Sequence, residues 1–181
     1  MTATPIEDWF LLVDPSWTPA TADAVPPVEV VVGLWPLEEE GRLGQFRTNP
    51  DYLPLGPDSP SDPLDAVLRL VLAERVGAEH IQLMLRDTFF DIATYDDARP
   101  LLTLSPDGVR CVVVATGEVH RQRVNAPAWR RIDLDDLVVL LADEVDVLFN
   151  PSAPASIRLS GDFIRETLLL DDDQATELLR G

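Results

Sequence analysis

The chain has 181 residues, 46% of them hydrophobic and 25% charged, which excludes wholesale disorder or a fibrous repeat and allows one packed core without disulfides. Its 32 acids against 14 bases give a formal net charge of −18, a sign that repels nucleic-acid backbones and anionic membrane surfaces. No apolar run is long enough to span a bilayer and the start lacks a basic region followed by an apolar stretch, so the expectation is a cytoplasmic protein without membrane insertion.

Residues 1–27 join a short apolar segment, Trp9–Val13, to a stretch containing Pro15, Pro19, Pro26 and Pro27, and read as an N-terminal arm and linker. Residues 28–170 then carry the alternating elements of one α+β domain, and 171–181 read as a loosely held acidic C-terminal tail. Val28–Trp35 is β-branched and aromatic. With turn chemistry after Pro36 and a second apolar segment at Leu43–Arg47, it predicts a β-hairpin.

A proline-rich loop over Thr48–Asp62 ends where Asp62 can cap a helix and Pro63 can take its first position. Leu64, Val67, Leu68, Val71 and Leu72 form the buried stripe of that helix, Asp65 and Arg69 an exposed pair one turn apart, and Gly77 the stop. A second helix follows over Ala78–Arg86, then a strand over Thr88–Thr94. Two more strands, Leu101–Leu104 and Val109–Ala115, flank the turn Ser105-Pro-Asp-Gly108.

Further along come a short helix over Gly117–Val124, a strand at Trp129–Ile132 and a helix with Leu134, Leu137, Val138 and Leu141 on one face. Strands at Val145–Phe149 and Ser156–Leu159 precede a last helix capped by Ser160 and running to Leu169. Several strand connections are too short for a crossover helix, so the fold class is α+β, a mixed sheet packed with helices.

Chemistry-bearing motifs are sparse. The chain contains no G-x-S-x-G elbow, phosphate-binding glycine loop or H-E-x-x-H pair, and its only cysteine, Cys111, lies mid-strand. Catalytic residues, metal ligands and cofactors are therefore not expected. The acids at Asp133, Asp135 and Asp136 and at Asp171–Asp173 lack the spacing of a calcium loop and read as helix caps or solvated groups. A cryptic enzyme would need His120 to meet Asp133 or Asp135 in a pocket.

Against the acidic background one stretch inverts the charge. His120-Arg-Gln-Arg-Val-Asn-Ala-Pro-Ala-Trp-Arg-Arg131 holds four of the 14 arginines and no acid. Arg121, Arg123, Arg130 and Arg131 beside Trp129 are either a docking patch for an acidic partner or are paired internally with Asp133, Asp135 and Glu144. Trp35, Phe46 and Tyr52 are either an exposed aromatic anchor or core packing.

Four stretches, Val31-Val-Gly-Leu-Trp-Pro36, Asn49-Pro-Asp-Tyr52, Ser61-Asp-Pro-Leu-Asp65 and Asp146-Val-Leu-Phe-Asn-Pro151, taken with Ser105–Gly108, His120-Arg121 and Trp129, resemble SseB-like proteins associated with actinobacterial type VII secretion. The resemblance spans Pro27 to Arg165 and implies an SseB N-terminal-type domain, a cytosolic location and no catalytic residues. The expected function is accordingly an adaptor or chaperone that binds a secretion substrate or machinery component. The alternative is an antitoxin-like or regulatory binder whose net negative charge neutralises a basic partner.

Overall fold

A computed structural model describes residues 9–21, 23–38 and 41–180. Its strands are β1 (Trp9–Val13), β2 (Val31–Pro36), β3 (Arg47–Thr48), β4 (Phe90–Thr94), β5 (Leu102–Leu104), β6 (Arg110–Ala115), β7 (Ala128–Ile132), β8 (Asp146–Phe149) and β9 (Ile157–Leu159). Its helices are α1 (Pro63–Leu72), α2 (Glu79–Asp87), α3 (Glu118–Arg121), α4 (Leu134–Leu140), α5 (Gly161–Glu166) and α6 (Asp172–Arg180). The class is α+β.

The larger sheet runs β7-β4-β6-β8-β9, with β5 on β6 beyond β4. Only the β6–β8 pair is parallel; the others are antiparallel. Because β4 is antiparallel to both β6 and β7, the strands β6, β7 and β8 point the same way. Their carboxyl ends, at Thr116, Asp133 and Asn150, share one end of the sheet. The smaller sheet is the antiparallel set β1-β2-β3.

Strand periodicity sends Phe90, Ile92, Val112, Val114, Val147, Phe149 and Ile132 to one face of the larger sheet, where they join one buried cluster with α1, α2, α4 and α5. Phe90 and Phe149 meet edge to face, ring centroids 6.0 Å apart. Leu12, Val32 and Trp35 of the smaller sheet enter the same cluster. Each fully buried Leu or Phe there contributes about 1.5–3 kcal/mol of transfer free energy.

The helix start at Asp62 is as the sequence predicts: its side chain accepts the Asp65 N–H at 2.8 Å, and Pro63 is the first helical residue. The expected stop at Gly77 is not used; α1 ends at Leu72, and Glu74 takes the left-handed turn at φ 55°. Ser160 caps α5 by accepting the Phe163 N–H. The hairpin forms with a shorter second strand, β3 pairing at Gly33↔Thr48 and Leu34↔Arg47. Gly33 permits this approach, because a Cβ there would lie 2.6 Å from the Arg47 carbonyl oxygen.

Two terminal readings are corrected. Trp9–Val13 is not a free arm: it pairs residue by residue with β2, and Leu12 is core. Residues 1–8 of the expected arm lie outside the described residues. The acidic stretch after Asp171 is not a loose tail but the helix α6, since Ala175 and Thr176 on one face are buried and Arg86 Nη2 holds Asp172 Oδ1 at 2.6 Å. Gly181 is not among the described residues.

Candidate functional site

The charge-inverted stretch folds into α3, a turn-containing connection and β7, and its basic residues part company. Arg121 pairs with Glu118 one turn back, and its Nε stands 3.7 Å from Asp91 Oδ2. Arg123 is exposed and donates to the Ser152 carbonyl oxygen at 3.3 Å. Arg130 and Arg131 are exposed on β7, the outermost strand of the larger sheet.

Among the described residues, Arg123, Arg130 and Arg131 make no ion pair. The internal partners weighed for them are engaged elsewhere or free: Asp133 caps α4 by accepting the Asp136 N–H, Asp135 is exposed, and Glu144 faces Arg110 at 4.0 Å. Arg131 places its guanidinium 5.4 Å from the ring centre of Phe89, which is 57% exposed. Trp129 is half-buried beside them.

A hollow of about 260 Å³ opens next to this pair, lined by Phe46, Asp62, Leu64, Phe89, Thr116 and Arg131 among others. A second, of about 470 Å³, continues past Phe46 and Phe89 towards Asp133 and Leu168. Phe46 and Phe89 thus form the shared wall of a groove that starts at the end of β7.

The aromatic trio is not an exposed anchor. Trp35 is 3% exposed, donates its indole N–H to Asp87 Oδ2 at 3.1 Å and meets Phe46 edge to face at 4.7 Å. Tyr52 is half-buried, its hydroxyl 2.9 Å from Asp14 Oδ2 and 3.2 Å from the Pro60 carbonyl oxygen. Burial and the adjacent Asp14 carboxylate both push the Tyr52 phenol up. Only Phe46 reaches the groove.

The structure also assembles a polar cluster that the spacing of the sequence conceals. His120, 2% exposed, points its Nε2 at Ser61 Oγ (3.0 Å) and at Asp62 Oδ2 and Asp65 Oδ2 (both 3.7 Å). Asp133 and Asp135, the partners considered for it, are not its neighbours. Asp65 pairs with Arg69 at 3.1 Å as the one-turn spacing expects, but the pair is not exposed: the Asp65 side chain is fully buried. From Asp62 the network runs through Thr116 Oγ1 (2.8 Å) to Asn150, whose side chain bonds the Thr116 hydroxyl and N–H.

Burial raises the Asp62 carboxyl, and the neighbouring Asp65 charge adds to this against three hydrogen bonds. Burial pushes Asp65 the same way, but the His120 ring, the Ser61 N–H and Arg69 outweigh it and hold the carboxyl below its ordinary value. Ser61 Oγ donates to Asp62 Oδ2 at 2.9 Å, so it offers His120 a lone pair and Nε2 is the donor. A serine nucleophile needs the opposite polarity, with a carboxylate on the other ring nitrogen, yet Nδ1 has no hydrogen-bond partner among the described residues. What the cluster does is tie the start of α1 to α3 and to the ends of β6 and β8.

Cys111 is buried, and burial raises its thiol. Among the described residues no group of three or more His, Cys, Asp or Glu is placed to hold a metal ion, and no helix is long and apolar enough to cross a membrane. Fold and site together define an α+β domain with two exposed arginines on a strand at one sheet edge. No family model, curated protein or solved structure matches the chain.

Proposed function

We propose that the chain is a non-catalytic accessory protein of the cytosol that binds an acidic segment of a partner protein at the β7 edge. The observation that carries this reading is the set Arg123, Arg130 and Arg131, which lack a carboxylate partner among the described residues of a chain with 32 acids. Arg47 and Arg75 also make no ion pair among the described residues, so what marks this surface is that Arg130 and Arg131 stand side by side and exposed on one strand edge, where another molecule can reach both.

The resemblance of Val31–Pro36, Ser61–Asp65 and Asp146–Pro151 to SseB-like proteins supports a type VII secretion substrate or machinery component as that partner, with this chain as its adaptor or chaperone. Calorimetric titration of the full chain with type VII substrates that carry an acidic segment tests the reading. Binding is expected at low salt, to weaken as salt rises, and to vanish when Arg123, Arg130 and Arg131 are replaced by glutamate. Affinity untouched by the replacements overturns it.

A further inference from the structure

We infer that the partner docks at β7 by strand addition: an extended acidic segment continues the larger sheet beyond Ala128–Ile132. This rests on the proposed acidic partner and adds the conformation in which that partner is held.

β7 pairs with β4 over Phe90↔Ile132 to Thr94↔Ala128 and, among the described residues, has no strand on its other side. In an antiparallel ladder every second residue turns its N–H and C=O away from the neighbour. Among the described residues, no hydrogen bond outside the β4 ladder reaches the backbone of Ala128–Ile132. The strand is therefore a ready template for another.

The side chains say which strand fits. Arg130 lies on the face of Ile132 and Ile92, and Arg131 on the opposite face with Trp129 and Asp91. A segment added beside β7 meets one guanidinium on each face, so carboxylates at adjacent positions are both matched. Arg131 is held over Phe89, at the mouth of the groove bounded by Phe46, where an apolar side chain of the same segment finds a wall.

The far edge of the sheet lacks this character. Arg158 on β9 is already held by Asp146 (2.5 Å) and Asp107 (2.7 Å). A second copy is the wrong occupant for β7, since antiparallel β7–β7 pairing sets guanidinium groups opposite one another.

The full chain is titrated with a labelled peptide that sets two adjacent glutamates among valines and threonines, with the same peptide N-methylated at every second residue, and with a single-stranded oligonucleotide. The first peptide is expected to bind, and the N-methylated form about tenfold more weakly or worse, because its ladder hydrogen bonds are removed. Amide exchange within Ala128–Ile132 should slow on binding. Equal affinity for both peptides overturns strand addition while leaving the acidic-partner reading in place.

Failure of both peptides at low salt overturns both, and the arginines are then a device that keeps the edge from pairing. Tighter binding of the oligonucleotide overturns a peptide as the occupant. The Arg130→Glu, Arg131→Glu double variant, checked for an unchanged circular dichroism spectrum, should lose the first peptide; retained binding sinks the site.

Discussion

At one end of the basic stretch His120 is enclosed by Ser61, Asp62 and Asp65, and Arg121 leans on Glu118 and Asp91; at the other, Arg130 and Arg131 stand exposed on an open strand edge and make no ion pair among the described residues. The two ends are ten residues apart in sequence and alike in composition, but α3 and β7 face different surroundings. α3 packs where α1 begins, bringing carboxylates to it, whereas β7 has β4 on one side only. The difference teaches that a local charge inversion is not one functional unit. Half of it is absorbed in holding the fold together, and half stands exposed on the β7 edge.

The sharpest break in this comparison should come from Asp65→Ala, which leaves the buried His120 and the partly buried Arg69 without their shared carboxylate. A loss of about 3–5 kcal/mol is expected in urea unfolding, the range for removing one partner of a buried ion pair. A loss under about 1 kcal/mol would put the cluster on the same footing as a surface pair.

A gentler test is pH. Asp65 has a folded value below the ordinary 3.8, so its contribution is complete at neutral pH and disappears as the pH falls through that lowered value. Asp62, raised above 3.8, has the opposite sign: the folded state takes up its proton first, and stability from that carboxyl grows as the pH falls through the raised value. Asp65→Asn should therefore flatten the acid limb of the stability profile, and Asp62→Asn should steepen it.

Smaller still, Arg121→Ala should cost about 1 kcal/mol or less, because its side chain is a third exposed and its main partner is on the surface. The Arg130→Glu, Arg131→Glu double variant should change stability by only about 0.5 kcal/mol while abolishing acidic-peptide binding. A large loss of stability from that pair would show β7 to be tied into the fold after all and erase the contrast between the two ends.

Much of the local structure was legible. Asp62 followed by Pro63, the stripe from Leu64 to Leu72, the turn Ser105–Gly108 and the cap at Ser160 depend on neighbours within one turn, so the residues themselves carry the signal. The edges of elements were less so. Glu74 rather than Gly77 makes the left-handed turn after α1, at a cost of about 1–3 kcal/mol for a non-glycine residue that the Glu74 and Arg75 N–H bonds to the Val71 and Leu70 carbonyl oxygens offset, and nothing in the sequence marks that position.

The candidate site was half legible. The arginines announced themselves by sign and by the absence of acids, but which of them are free depended on long-range contacts. Trp35 reads in isolation as either an anchor or core, and the structure makes it core, packed in the buried cluster with its indole N–H donated to Asp87, 52 residues away. The partners of His120 were hidden in the same way, since Ser61 lies 59 residues before it.

The sequence by itself determined an acidic α+β chain, most of its helix starts and strands, and the place where its charge reverses. These follow from composition and from interactions spanning a few residues. Only the tertiary structure decided that the first strand and the last helix belong to the packed fold, that Asp65 is buried with His120, and that β7 is an open edge. Each of these depends on which distant segments the common core brings together, and charge, burial and strand order have no meaning until that core has formed.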